Sequence, residues 1–185
     1  MPSGRTHDRI TLWGLPPVIG VTFILTRSPA ITAIVSIAYL IGGFMLGPDL
    51  DIHSIQYKRW GPIRWIWLPY QKALSHRSKL SHGPIIGTVV RVIYLALWIA
   101  LLATLMAGIL NALWDAQITW LSLSQTFRYL LRHYLTQWIA ILIGLEVGAM
   151  SHSISDAIGS YWVSKRKRAK KHPKRKQSGK KKPRF

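Results

Sequence analysis

The run from residue 92 to 110, Val-Ile-Tyr-Leu-Ala-Leu-Trp-Ile-Ala-Leu-Leu-Ala-Thr-Leu-Met-Ala-Gly-Ile-Leu, carries no charge. As a helix it is long enough to cross the hydrocarbon core of a bilayer. Arg91 just before it can snorkel toward the near headgroups. Two earlier apolar runs, about Ile10 to Thr26 and Ala30 to Leu46, lie at the short end of the spanning range and would also suit a buried hairpin of a soluble domain. A fourth, about 134–150, is interrupted by Glu146. Arg27-Ser28-Pro29 and Gly83-Pro84 punctuate the series. Read as a signal peptide, the first run lacks a small-x-small cleavage site after its apolar part.

The expected fold is all-α: a polytopic membrane helical bundle of about four apolar helices, near 10–26, 30–47, 85–110 and 134–151. These fall in one domain, residues 1–162, followed by a disordered basic tail, 163–185. Between the second and third runs, residues 48–83 hold six Lys and Arg. The stretch Trp60-Gly-Pro-Ile-Arg-Trp-Ile-Trp-Leu-Pro-Tyr70 is expected to be an interfacial helix, with a core-packed helix as the close competitor.

Charge gives an independent check on topology. The net charge of +19 is mostly a property of the tail, since residues 161–185 hold 13 of the 25 Lys and Arg and no acid. With four spans and a cytoplasmic N-terminus, the remaining basic residues outside the spans divide 8 inside to 3 outside. That agrees with the positive-inside rule and puts both termini in the cytoplasm. The same topology gathers His7, Asp49, Asp51, His76, His82, His152 and Asp156 at one membrane face.

Those residues carry the chemistry. Pro48 is expected to stop the second helix and keep its neighbours extended. Asp49 and Asp51, at i and i+2, would then aim at one point. Carboxylates that close repel unless a cation or a proton lies between them. His152 and Asp156, at i and i+4, share a helix face. Asp156 is then either a ligand or the acceptor of the second ring N–H of a ligating His152. Each piece alone has an ordinary reading: an ion pair on a helix surface, a cap, a histidine bonded to backbone. Together, and with Asp8 beside His7, they place four of six acids and most of the histidines at the same ends of the spans. The expected ligands of a divalent metal ion are His7, Asp49, His76, His82, His152 and Asp156, with His7 at the edge of the site. Asp51 is a bridging ligand or catalytic general base, also at the edge, and Arg77 could hold a substrate phosphate. His53 lies nearby in sequence, whereas His133 and His172 fall outside the group. With no cysteine in the chain, zinc is the first choice, with Mn, Fe or Mg as alternatives.

The segments Pro-Ser-Gly-Arg-Thr-His-Asp at 2–8, Gly-Pro-Asp-Leu-Asp at 47–51, His-Arg-Ser-x-Leu-Ser-His-Gly-Pro at 76–84 and Ser-His-x-x-x-Asp at 151–156 resemble a family of small, uncharacterised membrane proteins described as metal-binding. That family is similar in turn to the membrane-bound metal-dependent hydrolases of bacterial inner membranes. More distantly, the order His, Asp, His, His-x-x-x-Asp is similar to the all-α zinc-dependent phospholipase C and single-strand nuclease group. That group uses further His and Asp ligands and an N-terminal Trp, which this chain lacks at matching places. The resemblance implies a membrane-embedded metal site and, on its hydrolase side, metal-dependent hydrolysis.

Three functions are therefore expected to compete. The first is a hydrolase in which a metal ion activates water against a phosphoester or acyl bond of a lipid or lipid-linked substrate at the cytoplasmic face. The second is a non-catalytic carrier, sensor or assembly factor with a closed coordination sphere. The third is a membrane-anchored adaptor using its basic tail. Membrane lipids are the expected partners. Nucleic acid is disfavoured, because no aromatics interleave the tail's charges. No nucleophile elbow, phosphate-binding glycine loop or dinucleotide fingerprint occurs.

Overall fold

The protein is described by a computed structural model covering residues 4–76 and 78–171, and every regular element among these residues is helical. Helix α1 spans Gly4–Thr26 and runs through Pro16 and Pro17 without ending. It starts upstream of the apolar run, so His7 and Asp8 sit in its first turns. Helix α2, Pro29–Phe44, begins where the Ser28 hydroxyl accepts the N–H of Ile31 (3.3 Å) and Pro29 occupies the first turn, whose N–H groups need no helical partner.

Helix α2 ends at Phe44, where the Met45 N–H closes onto the Ile41 carbonyl (2.9 Å). Pro48 therefore does not stop it. Instead Pro48 opens a 3-10 turn, Pro48–Asp51. Successive side chains in such a turn point about 120° apart, so Asp49 and Asp51 do not aim at one point but reach His82 from its two sides, at Nε2 (3.5 Å) and Nδ1 (3.6 Å).

Short pieces follow: α3 (Ile55–Lys58), a 3-10 segment (Gly61–Trp67), α4 (Leu68–Ala73) and α5 (Lys79–His82). The stretch 60–70 is thus not one helix. Ile63 and Trp65 are exposed, but Trp67 and Tyr70 are buried against Leu46, Leu50, Tyr57 and Leu145. Trp67 meets Trp60 and Tyr70 edge-on, at 5.1 and 5.4 Å, and Tyr94 at 5.4 Å. Burying a large apolar side chain contributes roughly 1.5–3 kcal/mol, and here that burial anchors the floor on which the Pro48–Asp51 turn rests.

Helix α6 spans Ile86–Trp114 and ends where Asp115 adopts a left-handed conformation (φ 48°). The Asn111 side chain pins the chain reversal by bonding both the N–H and the carbonyl of Ile118, each at 2.8 Å. Helix α7, Trp120–His133, opens on a capping box between Thr119 and Ser122 and has no buried residue. Helix α8, Leu135–Lys171, is continuous. It runs through the expected domain boundary at 162/163, so residues 163–171 are helical, and the rest of the expected tail lies outside the described residues.

Helices α2 and α8 form the main interface. Small residues let their backbones approach: a Cβ on Gly42 would collide with the Leu145 carbonyl, and one on Gly148 with the Tyr39 carbonyl. Four helical stretches among the described residues are long and apolar enough to cross a membrane: Thr6–Thr26, Pro29–Asp51 (α2 with the turn after it), Ile86–Trp114 and Leu135–Tyr161.

Candidate metal centre

Four segments far apart in sequence meet at one end of the bundle: the start of α1, the 3-10 turn after α2, the α5 region and α8. Asp49 stands between two groups of histidines. Its Oδ2 lies 3.1 Å from His152 Nε2 and its Oδ1 3.5 Å from His82 Nε2. Asp156 lies 3.2 Å from His7 Nε2 and 3.8 Å from His152 Nε2. The rings of His7 and His152 stack at 4.0 Å. One donor atom from each of His7, His152 and Asp156 falls within 4.8 Å of the others, and the same holds for Asp49, His76 and His82.

Hydrogen bonds behind these donors fix the tautomers. Ser155 gives its hydroxyl proton to the His152 carbonyl (2.8 Å), so its oxygen accepts the Nδ1–H of His7 (2.5 Å). Ser81 bonds Asp51 through its hydroxyl proton, so it accepts the Nδ1–H of His82 (2.8 Å). The fully buried Asp51 carboxylate can only accept, so His76 donates its Nδ1–H to it (2.9 Å). The Nε2 atoms of His7, His76 and His82 are therefore free of protons when these rings are neutral. For His7 and His82 that lone pair faces a carboxylate oxygen, at 3.2 and 3.5 Å. Two acceptors at such range repel unless a cation or a proton sits between them. Carboxylates and oriented imidazoles fit a hard or borderline divalent ion.

His152 differs. The Gln56 side-chain nitrogen donates to the Gly43 carbonyl (2.9 Å) and lies 3.4 Å from His152 Nδ1, leaving the buried Gln56 Oε1 without a partner. In this arrangement Nδ1 accepts and Nε2–H points to Asp49; His152 would ligate through Nε2 once its proton moves to Nδ1 and Gln56 turns its unpaired Oε1 to accept it.

The six expected ligands are all brought together, but not in the expected roles. His7 is central, because α1 begins early enough to lay it against His152. Asp51 is set behind His76 and Ser81. Arg77 lies outside the described residues. His53 packs on Tyr57 (4.9 Å), and His133 on Tyr129 and Tyr134. Arg91 does not snorkel: it is 2% exposed and donates to the Ser81 carbonyl (2.7 Å) and to Thr88 Oγ1 (3.0 Å). Glu146 accepts the Ile85 N–H (2.9 Å) at the start of α6, where Ile85 holds φ 63°.

The supporting side chains Ser81, Ser155, Gln56 and Arg91 were missed. Ser81 and Ser155 had a signal, one adjacent to His82 and the other between His152 and Asp156. Gln56 and Arg91 had none, because only the tertiary fold brings them in. A cavity of about 140 Å³ opens beside the donors, lined among others by His7, Asp49, His76, His152 and Asp156.

A family model described as "Uncharacterized metal-binding protein (DUF2227)" matches residues 2–166. Among curated proteins, an "Uncharacterized protein" of Aquifex aeolicus (strain VF5) is 42% identical over 60 residues, which is 32% of this chain and 42% of that one. The match thus spans less than half the length of that relative. No solved structure matches the chain significantly.

Proposed function

The chain belongs to this family of uncharacterized metal-binding proteins, and we propose that it holds two adjacent divalent ions, zinc first among them, and uses them for hydrolysis. His7, His152 and Asp156 would hold one ion and His76, His82 and Asp49 the other, and Asp49 has one oxygen toward each group. The observation that supports this reading is the pair of histidines, His7 and His82, whose Nδ1 is held by a serine and whose Nε2 faces a carboxylate, one in each group, beside an open cavity. A closed structural site would leave no such space.

Ions bound there supply Lewis acidity toward a phosphoryl or carbonyl oxygen. The protein's own groups do the positioning. Asp51 and Ser81 hold His76 and His82 in one tautomer and orientation, and Ser155 does so for His7. Arg91 fixes the carbonyl of Ser81 and thereby that layer. Asp51 serves as a positioning group and not as a general base, because its side chain is fully buried behind His76 and Ser81.

Detergent-purified wild type, dialysed against zinc, is expected to retain about two equivalents per chain, the number such a two-ion site needs. His133→Ala and a truncation after Ser164 should retain the same amount, since neither touches the donors. Wild type that retains no zinc, manganese or iron would end the metal reading. Two retained ions without turnover of nitrophenyl phosphodiesters or esters would leave a carrier.

The site sits at a membrane face in this reading. Only 6% of the residues in the spanning windows of helices α1 and α6 are buried, and lipid would cover their exposed apolar side chains. The substrate is then a lipid or lipid-linked phosphoester or acyl compound met at the cytoplasmic surface, with both termini on that side. A reporter fused after Phe185 is expected to read cytoplasmic and one inserted at 115–119 the opposite side. The same side for both would defeat the four-span topology.

A further inference from the structure

Among the described side chains lining the metal cavity there is a single permanent cation, Arg59. Its guanidinium is held in place: Nη1 donates to the Phe44 carbonyl (3.0 Å), Nη2 donates to Asp8 Oδ2 (2.6 Å), and the group lies over the Phe44 ring at 5.1 Å from its centre. Arg59 and Asp8 are each about one-third exposed, so neither is locked in the core.

We propose that Arg59 is the anchor for an anionic phosphate group of the substrate, and that Asp8 occupies that anchor in the free protein. The inference rests on the two-ion reading and narrows its substrate class to phosphoesters.

Charge decides between the candidate substrates. Asp8, Asp49 and Asp156 line the cavity, and Asp51 lies behind it. Without ions this is a surplus of negative charge, and a phosphate would be repelled. Two divalent ions offset the four carboxylates and leave the charge of Arg59 in excess. A neutral acyl ester gains little from that excess. A phosphoester gains a charge-assisted contact, and guanidinium geometry suits two phosphate oxygens at once. The Asp8 carboxylate on Nη2 is a stand-in anion of similar geometry, which an entering phosphate displaces. Because the Phe44 carbonyl holds Nη1 independently, Arg59 keeps its place when Asp8 lets go. Ile52 and Ile55, which also line the cavity, are 38% and 45% exposed and offer an apolar flank for the uncharged part of the substrate.

The test is phosphate affinity of zinc-loaded protein in detergent, read by calorimetry with two probes, inorganic phosphate and dihexanoyl phosphatidic acid. Arg59→Ala is expected to weaken binding of both about tenfold or more while retaining the wild-type zinc content, which doubles as the folding control. Arg59→Lys should recover part of the loss. Asp8→Asn, which removes the competing carboxylate, should tighten binding several-fold, about as much as one exposed ion pair is worth. Chelated wild type should bind neither probe. Tighter binding of the lipid assigns the anchor to a headgroup phosphate, and equal binding assigns it to phosphate as such. Equal affinity in wild type and Arg59→Ala, or no affinity in either, overturns the proposal while the zinc content still supports the two-ion reading. Weakening by Asp8→Asn to the level of Arg59→Ala also overturns it, because the pair would then be only a staple between α1 and α3. Wild type without zinc sinks the two-ion reading and the proposal with it.

Discussion

Asp49→Ala is expected to empty both ion positions, whereas His7→Ala and His82→Ala each empty one. The asymmetry follows from where the carboxylate stands. Its two oxygens face different groups, one toward His152 at 3.1 Å and one toward His82 at 3.5 Å. Four protein ligands of a structural zinc together supply roughly 10–16 kcal/mol, so one ligand accounts for about 3 kcal/mol, or about a hundredfold in affinity. Loss of Asp49 removes one ligand from each position, and it also removes the charge that offsets two neighbouring cations. Metal analysis after equilibrium dialysis separates the cases: about two equivalents for wild type, about one for either histidine variant, about none for Asp49→Ala. If Asp49→Ala retains one equivalent, the carboxylate serves one ion alone. Asp51→Ala sets the contrast, since Asp51 acts through His76, His82 and Ser81. Loss of a supporting partner costs about 10–100-fold in affinity, and here the effect should be confined to the ion held by His76 and His82.

Why Asp49 takes this place, and Asp51 does not, was not legible from Pro-Asp-x-Asp alone. An extended reading of that motif makes the two carboxylates equivalent. The 3-10 turn makes them different, and it forms because Pro48 fits its first position while Leu50 is drawn fully into the core under Trp67 and Leu145. Hydrophobic burial of one side chain thus decides which acid meets the cavity. The same holds for the 60–70 stretch: alternating aromatics and prolines gave a plausible interfacial helix, but Trp67 and Tyr70 found a core made by residues far away in sequence. The features that were legible depend on local pattern. Helix existence followed from uncharged apolar runs, and the sharing of one face by His152 and Asp156 followed from helical spacing. Helix ends were less legible: α1 reaches back to Gly4 through residues too polar to continue an apolar pattern, and that extension is what turns His7 from an edge residue into a central one.

The last expected result tests whether helix packing sets the site. Gly148→Ala should destabilise the protein and release metal although it removes no donor. Alanine is the better helix former by about 1 kcal/mol, so an exposed glycine-to-alanine change in a helix should stabilise. Gly108 in α6 and Gly20 in α1, where an added Cβ meets nothing within 4 Å, are the controls that should show that gain or no change. At Gly148 the added Cβ would collide with the Tyr39 carbonyl and lie 2.7 Å from the Gly43 nitrogen. These are backbone atoms, which cannot rotate away as a side-chain tip can. Overpacking of this kind costs about 1–3 kcal/mol, and the upper end applies where helix must move from helix. Gly148 precedes His152 by one turn on the same face of α8, so backing α8 away from α2 draws His152 from Asp49. Thermal unfolding in detergent should therefore give opposite signs for Gly148→Ala and Gly108→Ala, and zinc content should fall only for the first. Gly148→Ala with unchanged stability and full zinc would mean that the α2–α8 approach does not determine the spacing of the donors.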